Sequence, residues 1–223
     1  MKKVAVIVAG GSGIRMGAFI PKQFLTLKGK PVLWHTINTF INSFSDMEVI
    51  LVLPEEHIER GNEIVETFEQ KHRITITKGG ATRFNSVQNG LKLIKDECII
   101  FVHDGVRCLV SKNLIEKCYQ QALELGNAIP ALTATDSIRI IDDNGLNSVS
   151  DRNKIKIIQT PQTFKSNIIL PAFQQQFKEN FTDEATVVES CGVRIFLVEG
   201  EHNNIKITRP SDLSVAEQLI EIF

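Results

Sequence analysis

Short, uninterrupted apolar runs rich in β-branched residues recur along this chain, and each gives way to an amphipathic helix pattern. Val4–Ala9 (VAVIVA), Glu48–Leu53 (EVILVL) and Cys98–Val102 (CIIFV) read as strands buried on both faces, because they do not alternate with polar residues. Ile74–Thr77 and the stretch around Ala128–Leu132 add further strands. Between them, Leu33, Ile37, Phe40, Ile41 and Phe44 fall at helical spacing, as do Phe84, Val87, Leu91 and Ile94. Helices are also expected around Glu55–Lys71 and across Lys112–Leu125. Such alternation requires right-handed crossovers and a mostly parallel sheet covered by helices. The expected fold is α/β, a single Rossmann-like three-layer α/β/α domain spanning 1–223.

The pattern changes after residue 135. Ser137–Ile141 and Leu146–Val149 flank Asp142-Asp143-Asn144-Gly145, a hairpin signal. Two strands alone are marginal in water, so this protruding arm is expected to pack on something. The α/β pattern then resumes. Thr182-Asp183-Glu184 reads as a helix start whose acids suit the positive end of the dipole, and Pro210 suits the first turn of a C-terminal helix.

Composition narrows the function. With 223 residues, 43% of them apolar, the core needs no disulfide or structural metal. Cys98, Cys108, Cys118 and Cys191 are too scattered for a zinc site and too few for a disulfide scaffold. Lys and Arg number 25 against 26 Asp and Glu, a net charge of −1, which argues against binding nucleic acid by bulk charge. No run approaches the roughly 20 apolar residues of a membrane span. Met1-Lys2-Lys3 precedes an apolar segment, but no small-residue cleavage pattern follows. That segment therefore reads as a strand rather than a signal peptide, and a cytoplasmic setting is expected.

Ligands of open α/β sheets sit at the carboxyl ends of the strands. One such end here carries Ala9-Gly10-Gly11-Ser12-Gly13-Ile14-Arg15-Met16-Gly17, followed by Pro21-Lys22-Gln23. No Gly-Lys-Ser/Thr closes the loop, so it is not a P-loop. Met16 stands where the third glycine of a dinucleotide fingerprint belongs. Glycine richness alone fits a tight turn equally well. Arg15 and Lys22, seven residues apart, turn the reading toward a polyphosphate site.

AGGSGIRMG…PKQF resembles the signature loop of the nucleotidyltransferases that activate sugar or polyol phosphates. Within that group the chain resembles the 2-C-methyl-D-erythritol 4-phosphate cytidylyltransferase family of the non-mevalonate isoprenoid pathway. The likeness runs through Gly79-Gly80…Arg83…Ser86-Val87, His103-Asp104-Gly105-Val106-Arg107, Asp136-Ser137 and Asp151-Arg152-Asn153. It continues in Thr160-Pro161-Gln162, Thr182-Asp183-Glu184-Ala185 and Asn204-Ile205-Lys206-Ile207-Thr208-Arg209-Pro210. The resemblance implies transfer of CMP from CTP to methylerythritol phosphate, giving 4-diphosphocytidyl-2-C-methyl-D-erythritol and pyrophosphate. The attacking phosphate oxygen is already anionic, so the reaction asks for positioning and charge neutralisation rather than a serine–histidine machinery, and none is found. His103 accordingly reads as hydrogen-bonded structure.

The resemblance also distributes roles. Arg15, Lys22 and Lys206 are the implied catalytic cations. Ala9, Gly10, Gly11, Gly13, Gly79, Gly80, Ser86 and Asp104 fall at CTP-binding positions. Asp104, Arg107, Ser137, Arg152 and Thr160 fall at polyol-phosphate positions, with a purely structural Asp104–Arg107 ion pair as the alternative. In relatives Arg152 and the arm come from a neighbouring subunit, which implies a homodimer through arm 137–155. Mg²⁺ is expected on the phosphates of CTP, with no protein ligand assigned, and neither nucleic acid nor membrane is an expected partner. Cys108 stands where relatives usually have proline, Ser137 replaces threonine and Ala81 replaces aspartate. A reactive thiol is one expectation for Cys108 beside Arg107. Ribitol 5-phosphate is the rival substrate, against which Asp151-Arg152-Asn153 speaks. A silent nucleotide-binding module would be expected to lose Arg15 or Lys22.

Overall fold

A computed structural model describes residues 1–10 and 20–220. Its first half runs β1 (Lys2–Val8), the small hairpin β2 (Thr26–Leu27) and β3 (Lys30–Pro31), α1 (Val32–Ile41), β4 (Met47–Leu53), α2 (Ile58–Val65), β5 (Ile74–Lys78), α3 (Arg83–Leu91), β6 (Cys98–Asp104), α4 (Lys112–Leu125) and β7 (Asn127–Thr133). The second half adds β8 (Ile138–Ile141), β9 (Asn147–Ser150), β10 (Lys156–Ile158), β11 (Gln162–Lys165), α5 (Ser166–Ala172), α6 (Glu184–Glu189), β12 (Leu197–Glu199) and α7 (Pro210–Leu219).

The main sheet is ordered β10-β7-β11-β6-β1-β4-β5, with β12 also on β7. β6, β1, β4 and β5 pair in parallel, whereas β11 enters antiparallel between β6 and β7. Successive strand residues point to opposite faces, so each strand feeds two cores. Ala5, Ile7 and Ala9 pack with Leu33, Ile37 and Phe40 of α1 and with Leu114 and Ile115 of α4. Val4, Val6 and Val8 pack on the other face with Phe84 and Val87 of α3, Ile169 of α5 and Val188 of α6. This is the mostly parallel, three-layer arrangement expected.

Local signals placed most boundaries. Asp142 accepts from the backbone N–H of Asn144 and Leu146, and Gly145 takes φ 80°, closing the β8–β9 turn. Asp183 caps α6 by accepting from the N–H of Thr186 at 2.9 Å. The expected helix over 55–71 is instead broken into a 3₁₀ turn at Glu55–His57, α2, and a second 3₁₀ turn at Lys71–Arg73. The Thr67 hydroxyl donates to the Ile64 carbonyl at 2.7 Å, competing for an acceptor the helix would need to continue.

Candidate active site

Along the carboxyl edge of the sheet, the parallel ladders continue a residue beyond the strands and tie the loops together. The N–H of Ala9 donates to Val52 O at 3.0 Å, that of Gly79 to Leu53 O at 2.7 Å, and that of Gly105 to Val8 O at 2.9 Å. Two glycines are demanded by close approach. A Cβ on Gly80 would stand 2.4 Å from Asn85 Cβ, and one on Gly105 2.9 Å from Ala9 Cβ. The chain passes from β1 to β4 and β5, then returns to the other side of β1 as β6. The crevice at that reversal is where open α/β sheets bind ligands.

A cavity of about 560 Å³ opens there. Of the expected CTP-binding residues, Ala9, Gly10, Gly79, Gly80, Ser86 and Asp104 line it, as do the cations Lys22 and Lys206. Lys22 begins a 3₁₀ turn whose next residue, Gln23, is fully buried and donates from Nε2 to Ala9 O at 2.9 Å, locking the turn to the end of β1. The Ser86 hydroxyl accepts from Gly80 N–H at 3.1 Å and donates to Thr82 O at 3.0 Å, so α3 shapes the glycine segment from beneath. Gly11, Gly13 and Arg15 lie outside the described residues.

Asp104 is the electrostatic centre of the cavity. Its Oδ1 receives Arg83 through Nη2 at 3.2 Å and Nε at 3.3 Å, and its Oδ2 meets Lys206 Nζ at 3.0 Å and Arg107 Nε at 3.6 Å. Arg83 also pairs with both oxygens of the buried Glu184. Burial works against a charged carboxylate at 104. Arg83, Lys206 and Arg107 together outweigh it and hold Asp104 well below the usual carboxylate range. Burial likewise opposes the charge on Arg83, but its two acidic partners keep it firmly protonated.

Behind Asp104 lies a second, neutral layer. Burial pushes His103 down to about 3, so the ring is uncharged. Its Nε2 faces the Arg107 carbonyl at 3.1 Å and must carry the proton, which leaves Nδ1 as acceptor. The Thr160 hydroxyl therefore donates to Nδ1 at 3.0 Å and accepts from the Asp104 N–H at 3.1 Å. Thr160 thus holds the backbone of Asp104 from inside the protein. An unfolded chain protonates His103 near 6.5, whereas the folded chain resists until about 3. Stability from this residue is present above pH 6.5 and lost as pH falls through that window, with a slope approaching ~1.4 kcal/mol per pH unit. Urea titrations between pH 7 and 5 are expected to show that decline, and His103→Gln to flatten it.

The remaining expected residues lie elsewhere. Arg107 does not line the cavity; it donates to Asn204 O at 2.8 Å and braces Asp104 from the side. Ser137 and Arg152 are exposed on the arm, where Arg152 donates to Thr135 O at 2.7 Å. The expected reactivity of Cys108 is overturned. Its thiol sits in a small apolar cluster with Leu27, Val106 and Ile207, and burial pushes it up to about 12. The sequence assigns no role to Arg83 or Glu184, because their importance comes from a contact spanning 101 residues of sequence. The one available signal was their membership in the Gly79–Val87 and Thr182–Ala185 motifs.

Comparison with known proteins agrees with this geometry. Residues 3–222 match the family described as IspD, 2-C-methyl-D-erythritol 4-phosphate cytidylyltransferase. A protein of that name from Bacteroides fragilis is 44% identical over 222 residues, covering 99% of this chain and 100% of the relative. One from Porphyromonas gingivalis is 42% identical, covering 98% of each. Among solved structures, the 4-diphosphocytidyl-2C-methyl-D-erythritol synthase of Anaerococcus prevotii superposes with a TM-score of 0.85 at 28% identity, covering 99% of this chain and 98% of that one. The 2-C-methyl-D-erythritol 4-phosphate cytidylyltransferase of Francisella tularensis gives 0.80 at 31% identity, covering 98% and 99%. A cavity built where family motifs converge, and similarity along the whole length, place this chain in the 2-C-methyl-D-erythritol 4-phosphate cytidylyltransferase family.

Proposed function

We infer that the chain transfers CMP from CTP to 2-C-methyl-D-erythritol 4-phosphate, releasing pyrophosphate and supplying an isoprenoid precursor. Membership in the family supports the reaction. The observation that carries it to these residues is the convergence of Gly79, Gly80, Ser86, Asp104, Lys22 and Lys206 on one cavity. The glycine segment and Ser86 admit the base, and Asp104, on the same cavity wall and paired with Lys206, faces the sugar. Lys22, with Arg15, offsets charge that grows on the α-phosphoryl group and the leaving pyrophosphate. Lys206 flanks the incoming phosphate, and Arg107 braces Asp104 beside it.

Mg²⁺ belongs to this proposal through CTP. Among the described residues no group of three or more His, Cys, Asp or Glu side chains that could hold a metal comes together, and Asp104 is already engaged by Arg83 and Lys206. A hard divalent cation bound to phosphate oxygens spreads their charge and needs few protein ligands. Pyrophosphate release is expected from CTP, Mg²⁺ and methylerythritol phosphate, and at far lower rates with ribitol 5-phosphate or with ATP, GTP or UTP. Equal rates with ribitol 5-phosphate would sink the substrate assignment.

The working unit in this proposal is a homodimer. β8 and β9 pair only with each other among the described residues, and Ile141, Leu146 and Val149 on this arm are at least 70% exposed. A two-stranded ribbon with such an apolar surface calls for a cover, and a second copy provides it. Arg152, at the base of the arm, then binds the polyol phosphate with its planar fork. Arg152→Ala is expected to raise KM for methylerythritol phosphate at least about tenfold while KM for CTP stays within about twofold. Equal losses for both substrates would move Arg152 to the nucleotide half. Sedimentation as a monomer at assay concentration would contradict the dimer. A cytoplasmic setting, where unpaired cysteines stay reduced, fits the four free thiols.

A further inference from the structure

Arg83 and Glu184 form part of the cavity's charge cluster but have no part in the transfer described above. We propose that Arg83, gripped by Glu184, is a positioning residue that sets the Asp104 carboxylate for the ribose of the nucleotide and so makes the site prefer ribonucleotide to deoxyribonucleotide. The proposal rests on the CTP reading.

The side chain of Glu184 is 1% exposed and cannot reach a ligand in the cavity, so whatever it does passes through Arg83. Both its oxygens are taken by the Nη1 and Nη2 ends of the guanidinium, with Nη2 at 3.2 Å from Oε2. This fork-to-carboxylate pairing fixes the plane of the group as well as its position. The adjacent Nε–Nη2 edge then delivers two donors to a single oxygen, Asp104 Oδ1. Glu184 is itself held from both flanks. Gln162 on β11 donates to Asp183 at 2.9 Å and accepts from the Ala185 N–H at 2.8 Å. Orientation therefore runs from the sheet interior through Gln162, Glu184 and Arg83 to Asp104.

A buried ion pair is a poor way to gain stability alone, since a packed apolar pair of similar volume does as well or better. A lysine at 83 would satisfy charge, but it has no planar fork with which to bridge two carboxylates in fixed directions. Asp104 shares the cavity wall with Ser86, three residues along α3 from Arg83, and pairs with Lys206 at 3.0 Å, so a sugar linking base to phosphates comes close to it. A carboxylate offers about four lone-pair sites; Arg83 takes two on Oδ1 and Lys206 one on Oδ2, and the Oδ2 site that remains can accept from one of the sugar's vicinal hydroxyls only if the group is held still. A deoxynucleotide lacks one of those hydroxyls.

The test compares kcat/KM for CTP and dCTP, with Mg²⁺ and methylerythritol phosphate, in wild type, Glu184→Gln and Arg83→Lys. Wild type is expected to prefer CTP by at least about 30-fold, because sites built to hydrogen-bond a hydroxyl reject analogues that lack it. Each variant is expected to reduce that preference at least about tenfold, mainly by losing rate with CTP, with KM for the polyol phosphate near wild type. Glu184→Gln leaves Asp104 alone against three cations and also lowers Tm, whereas Arg83→Lys keeps the charge balance and lowers it less. A folded variant with the ratio unchanged overturns the proposal, as does equal loss with both nucleotides or a wild type that does not discriminate. If Glu184→Gln does not fold, Arg83→Lys decides, since it leaves the buried carboxylate a cation. Failure of both to fold makes the network purely structural and also overturns it. Wild type inactive on CTP defeats the underlying reading instead, before any variant is made.

Discussion

Lys22→Ala is expected to cut kcat by about 10²–10³-fold, as losing a preorganised transition-state donor does. Lys22 is half-buried at the cavity wall, on a 3₁₀ turn that Pro21 enters and Gln23 anchors to Ala9 O at 2.9 Å. An ammonium held that way costs little reorganisation when charge develops, which is where electrostatic catalysis gains. KM for methylerythritol phosphate is expected to change much less than kcat. Arg15→Ala, at the cation proposed above to share the role, is expected to behave similarly. Unchanged turnover in Lys22→Ala would remove lysine from the phosphate chemistry.

The largest expected effect on stability comes from Asp104→Ala. Asp104 is 7% exposed and opposes Arg83, Arg107 and Lys206, of which Arg107 is itself largely buried with a side chain 12% exposed. Removing the carboxylate leaves one carboxylate, Glu184, facing three cations, and is expected to cost about 3 kcal/mol by denaturant unfolding at pH 7. The sign with pH follows from the depressed folded-state value. The contribution of Asp104 is complete above the ordinary carboxylate range and is lost as pH falls below about 4 toward its folded value. The variant should therefore show a shallower acid limb than wild type. A loss below about 1 kcal/mol would mean that solvent screens the cluster far more than its burial suggests.

Much of this could be seen in the sequence, for identifiable reasons. The central strands announce themselves because both faces are buried, which leaves runs such as VAVIVA and CIIFV with no polar alternation. The arm was visible because Asp142 and Gly145 are local turn chemistry. The cavity lining was visible because glycines and cations follow strand ends. β10, β11 and β12 were not visible. They are three or four residues long, and β11 (QTFK) owes its buried central place to partners on β6 and β7 far away in sequence. Arg83, Glu184 and the neutral ring of His103 share that difficulty, since each takes its character from groups the chain brings together only on folding. Thr160 stood among the substrate contacts in sequence. The fold gives its hydroxyl to His103 and to the Asp104 backbone.

The fate of the α-phosphorus tests the central claim most directly. With CTP labelled at the α-phosphate, Mg²⁺ and methylerythritol phosphate, all the label is expected in 4-diphosphocytidyl-2-C-methyl-D-erythritol, with one unlabelled pyrophosphate released per product. Label recovered as free CMP, orthophosphate released in place of pyrophosphate, or no labelled product at all would contradict attack on the α-phosphorus by the polyol phosphate.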